Sequence, residues 1–228
     1  MHALTVALIA FAALWYAAGV RRLWRRAGQG RGIGRAQAAS FGVGMALLAL
    51  AVISPLHDVA ERLLWVHMVQ HELLMVVAAP LLVLGRPMQA FAHVVPLRLP
   101  RSLGDPLLAF AVHALALWLW HLPPLFDAAL AAETWHFLQH ASFLASALLF
   151  WWTIAARADL AALASLFGTM VHTGALGALL AFARTPWYAG FALDDQQLAG
   201  VIMWVPAGLA YPAAALFITS RWLRRSAA

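Results

Sequence analysis

Residues 67–85 read HMVQHELLMVVAAPLLVLG, and the reading of this stretch decides the fold. The run is long and apolar enough to cross a ~30 Å hydrocarbon layer as a helix. Yet it opens with His67, His71, Glu72 and Met75. An ionisable side chain inside a lipid span costs about 3 kcal/mol or more, so such groups mark function by default. His67 and His71 are four residues apart, which on a helix sets both imidazoles on one face, and Met75 continues that stripe by another turn. His136 and His140 repeat the spacing at the start of a later apolar segment. Two such helices facing one another can bring four imidazoles together in a bundle core, a ligand set for a metal ion or haem.

The rest of the chain supplies the bundle. Of 228 residues 64% are hydrophobic and 11% charged, a composition suited to lipid and unlike that of a water-soluble domain. The fold class is therefore an all-α polytopic membrane bundle, a single transmembrane domain over residues 1–228 with no room for a soluble one. Seven spans are expected near residues 3–20, 38–53, 63–84, 106–121, 135–156, 160–183 and 198–222. The first is read as retained, because MHALTV lacks the basic start of a cleaved signal. Ser54-Pro55, Gly85-Arg86-Pro87 and Pro123-Pro124 read as span terminators. Tryptophans near span ends, Trp151 and Trp152 among them, read as interface anchors.

The formal charge of +6 comes from arginine alone. Thirteen of the fifteen arginines fall in alternate loops (Arg21 to Arg35, Arg86 to Arg101, Arg157, and Arg221 to Arg225), and Arg62 and Arg184 fall in the others. A positive balance so distributed reports topology and not nucleic-acid binding. It predicts an N-terminus outside and a cytoplasmic C-terminus. The absence of cysteine excludes disulfides, thiolate metal sites and thiol catalysis. Nothing resembles a serine nucleophile constellation, a phosphate loop or a nucleotide site.

In that topology the histidines are asymmetric. His57, His121 and His136 come at outer span ends, His67 and His140 about 6 Å in, and His71, His113 and His172 about 12 Å deep at 1.5 Å per residue. Eight of ten thus occupy the outer surface or outer half. The candidate ligands are His67, His71, His136, His140 and His121. Around them stand Glu72, Met75, His172, Met203, Asp195, Gln196, His57 and Asp58 as additional ligands or as groups that orient the ligands. Each has a plainer reading. A lone histidine in a span usually satisfies a carbonyl or another polar side chain, and that account fits His113 best. Met75 and Met203 read first as packing, Glu72 as a carboxyl kept protonated by burial, and Asp58 and Glu61 as caps of the third helix. Asp127 and Glu133 read as residues of a solvated loop. Imidazole suits copper, zinc and haem iron, and imidazole with thioether favours cuprous copper. A carboxylate-bridged di-iron bundle would need more Glu-x-x-His pairs than the Glu133–His136 one present.

Four stretches carry a family resemblance. Residues 67–85, quoted above, resemble the first signature of the seven-helix cytochrome c oxidase assembly factors, the CtaG family of the caa-type oxidase. HLPPLFDAAL (121–130) resembles the second, WHFLQHASFL (135–144) the third, and LDDQQLAGVIMWVP (193–206) the fourth. The similarity runs over about residues 45–220, with Glu72 where an apolar residue or methionine is expected. The resemblance implies a protein of the bacterial plasma membrane that helps assemble haem–copper oxidase by handling copper. It carries His67, His71, His121, His136 and His140 into the site, with Asp195, Gln196 and Met203 from the last motif. The expectation is a non-enzymatic assembly factor that binds copper, as Cu+, near the outer face. It would receive the ion from an extracytoplasmic donor and pass it to an oxidase subunit within the lipid bilayer. An integral haem b electron carrier and a metal-free scaffold are the alternatives.

Overall fold

The structure is a computed structural model and describes residues 2–95, 100–157 and 159–226. Arg98 of the arginine tally lies outside the described residues. The chain runs through α1 (His2–Ala27), α2 (Arg35–Ile53) and a short α3 (Leu56–Ala60). The central stretch follows as α4 (Leu64–Glu72), a π-helical turn (Leu73–Ala78) and α5 (Ala79–Leu84). Then come α6 (Pro87–Ala92), a 3-10 turn (Arg101–Gly104), α7 (Pro106–Trp120), α8 (Pro123–Ala131), α9 (Glu133–Ala156), α10 (Leu160–Ala181) and α11 (Leu193–Ser226). No strand occurs among the described residues. Among the described residues, six helical stretches are long and apolar enough to cross a membrane, and a seventh exists if α7 and α8, bent by 73°, form one span. Leu14, Leu160, Phe182, Leu209 and Leu216 turn outward, as side chains do whose solvent is lipid. The chain is a multi-pass membrane protein.

The expected spans fall on helices, with two differences. Pro123-Pro124, read as a terminator, also begins a helix: Pro123 is the first residue of α8, where its missing N–H costs nothing. Asp127 therefore sits on a helix, its Oδ1 accepting from Ala189 N at 3.3 Å, and Glu133 opens α9. The second difference lies in the central span. Pro80 falls inside an apolar run and cannot donate to the carbonyl of Val76. The chain absorbs it by widening the preceding turn into the π-helical segment Leu73–Ala78. Trp151 Nε1 donates to the Met75 carbonyl there at 2.8 Å, so Trp151 is a buried core residue and not an interface anchor.

Small residues let α10 and α11 touch. A Cβ on Gly177 would stand 2.7 Å from the Gly200 carbonyl oxygen, and one on Gly200 would stand 2.5 Å from Ala181 N. Such close backbone approach is how helices pack where lipid supplies no hydrophobic drive. At the end holding most arginines, Tyr16 Oη donates to the Gly85 carbonyl at 2.7 Å and Trp24 Nε1 to that of Ile33 at 2.8 Å. Arg221 reaches the Ala155 carbonyl at 3.3 Å, so the C-terminus of α11 shares this end with the C-terminus of α9. The histidines of α4 and α9 lie at the opposite end.

Candidate metal centre

Asp195 places the first histidine helix. The third span begins at Leu64 in the bundle interior, where its leading N–H groups need an acceptor. Asp195 of α11 supplies both oxygens, Oδ2 to Leu64 N and Oδ1 to Trp65 N, each at 2.9 Å. This cap, 131 residues away in sequence, does the work that the sequence assigned to Asp58 and Glu61. Asp58 instead lies exposed on α3.

From that anchor α4 turns His67 and His71 toward α9, which presents His136 and His140. The ring centroids of His67 and His71 are 4.3 Å apart, those of His71 and His140 5.3 Å, and those of His136 and His140 4.4 Å. His67, His71 and His140 each offer a ring nitrogen within 4.8 Å of the other two. All three are buried. Neither ring nitrogen of His71 has a hydrogen-bond partner, nor has Nε2 of His140, and the Ala60 carbonyl lies near His67 without closing a well-formed bond. A buried polar atom left unpaired costs about 1–3 kcal/mol. Several on one trio of converging rings describe a place built for something else to bind.

His121 flanks the trio at the C-terminus of α7, its ring centroid 6.2 Å from that of His71. Its Nδ1 lies 2.7 Å from the Leu117 carbonyl, which fixes the proton there, and its Nε2 is buried without a partner. A ring held through one nitrogen with the other lone pair free is the usual preparation of a metal ligand. Tyr188 Oη donates to the His121 carbonyl at 2.9 Å and steadies that corner. His136 lies between His67 and His57, its ring nearly parallel to both at centroid distances of 5.4 and 4.9 Å. Phe126 and Phe143 close the floor against His67 and His71.

Other expected residues have further surroundings. Met75 lies within the π-helical turn Leu73–Ala78 and packs in the main apolar cluster. Met203 packs among Leu64, Met68 and Tyr188. Glu72 is buried, with Oε2 unpaired, near enough to Tyr211 for the two to interact. Gln196 accepts from Trp187 N at 2.6 Å. His172 lies beside Phe110, its centroid 5.6 Å away, outside the trio. His113 has Nδ1 3.0 Å from Ser146 Oγ, the polar side-chain partner expected of it.

Sequence reasoning passed over two glutamines. Gln70 donates through Nε2 to the Ala51 carbonyl and lies 3.2 Å from His57 Nδ1. Gln139 is fully buried with neither amide atom paired. The signal was present: both histidine helices read H-x-x-Q-H, at 67–71 and 136–140.

No curated protein and no solved structure matches the chain. The family model described as cytochrome c oxidase caa3 assembly factor (Caa3_CtaG) matches residues 14–225, nearly the whole length and all four motif stretches. The chain belongs to the cytochrome c oxidase caa3 assembly factor family.

Proposed function

We propose that this chain is a copper-handling assembly factor: it binds one copper ion between His67, His71 and His140 and hands it to an oxidase subunit in the membrane. One observation carries the reading, the convergence within 4.8 Å of three buried imidazoles that carry several ring nitrogens without a closed hydrogen bond. The donor set fits copper. Three neutral rings suit copper or zinc among the common metals. The three rings alone do not choose the oxidation state, and the preference for Cu+ rests on charge. The cost of burying an ion rises with the square of its charge, and no carboxylate is among these three ligands to offset a second charge. His121 and His136 stand one ring away on either side, which offers exchangeable ligands for an ion that must leave again. When bound, copper supplies the cargo and the histidines do the holding. Gln70 and Phe143 fix the neighbourhood, and Asp195 fixes the helix. The role is non-enzymatic.

The arginine bias supports an extracytoplasmic histidine end in the bacterial plasma membrane, a position from which an extracytoplasmic donor would supply the ion. Haem b fits this cluster less well. Bound between two of these rings, it would have to displace the third, whose ring nitrogen lies within 4.8 Å of both. Elemental analysis of the purified wild type beside the His67→Ala/His140→Ala double variant tests the reading. The wild type should carry about one copper and the variant almost none, with no Soret band in either. Equal, negligible copper in both would end it.

A further inference from the structure

A second set of ligands stands at the mouth of the bundle, on different residues from the buried trio. We propose that His57, Glu61 and His136 form a separate site for a divalent, imidazole-preferring cation, Cu2+ or Zn2+. Each of the three offers a ligand atom within 4.8 Å of the other two. His57 and Glu61 lie one turn apart at α3, with His57 Nε2 4.0 Å from Glu61 Oε1. A histidine and a glutamate at that spacing are common on any helix surface. The third member is what makes this a site, because His136 comes from α9, is 6% exposed, and has Nε2 buried without a partner.

The surroundings differ from those of the buried trio in the direction that selects charge. The three line one wall of an open cleft of about 440 Å³, together with Asp58, Glu133 and His140 and without an arginine. Glu61 is 59% exposed at its side chain and His57 27%. Water therefore reaches the ion, and the carboxylate offsets part of a double charge, conditions that suit a divalent ion. The buried trio touches this cleft only through His140 and includes no carboxylate. Gln70 Nε2, which donates to the Ala51 carbonyl, also lies 3.2 Å from His57 Nδ1 and holds that ring in place. The two sites adjoin through His136, whose ring lies between those of His57 and His67.

The test uses the full chain in lipid nanodiscs, titrated with Cu2+ and followed by electron paramagnetic resonance. Cu+ capacity is measured separately under reducing conditions. Glu61→Gln and His57→Asn should each weaken Cu2+ by at least about tenfold while leaving Cu+ capacity unchanged, which also shows that both variants are folded. His71→Asn should remove Cu+ and leave the Cu2+ signal. Cu2+ affinity within about twofold of wild type in both mouth variants would overturn the proposal, as would loss of the Cu2+ signal in His71→Asn. A mouth signal in a wild-type chain that holds no Cu+ at all would support this site and defeat the buried one, so the two readings fail separately.

Discussion

The two ends of this bundle treat buried polar atoms in opposite ways. At the arginine-rich end most are consumed internally, with Trp15 Nε1 the exception: Tyr16 closes on Gly85, Trp24 on Ile33, Ser40 on Leu81 and Trp151 on Met75. At the histidine end His67, His71, Nε2 of His140 and both amide atoms of Gln139 are buried without a closed hydrogen bond. The same chain, under the same lipid constraint, satisfies one set and leaves the other. An unpaired buried group is destabilising, and its concentration on converging imidazoles at one end is what supports the proposed site there.

The comparison can be broken most directly at the trio. His71→Ala or His140→Ala should lower copper content by about tenfold or more with little loss of thermal stability, because neither ring holds a partner in the fold. A large stability loss with unchanged copper would reverse the assignment of the two ends. Asp195→Ala should do the opposite. It strips two caps from the third span, and should cost about 2 kcal/mol, read as a lower melting temperature, while copper stays bound at temperatures where the variant is folded. Tyr16→Phe should cost about 1 kcal/mol, one internal hydrogen bond, with copper binding untouched. Met203→Leu, a volume-conserving change in an apolar cluster, should alter copper affinity by less than about twofold. A larger fall there would place a thioether in the site after all.

How much of this was legible in the sequence depended on how local each interaction was. The spans were, because hydropathy and proline act within a few residues. The pairing of α4 with α9 was, because H-x-x-x-H repeated on two helices has one economical arrangement. The change of helical period at Met75 was not, because the π-helical turn ahead of Pro80 is revealed only by the three-dimensional chain. Pro123-Pro124 reads equally as an end or a beginning, and the helix that follows, α8, was missed for that reason. Asp195 stood in a recognisable motif, but its task as a cap for Leu64 and Trp65 depends on α11 lying against α4. Glu61 lost its expected role to that cap, and its company with His136 required α3 and α9 to meet.

X-ray absorption at the copper edge of the protein loaded under reducing conditions tests the central claim most directly. The account predicts a shell of three nitrogen neighbours with imidazole multiple scattering and no sulfur, lost in the His67→Ala/His140→Ala variant. A sulfur neighbour, or a wild-type protein that retains no copper, would contradict it.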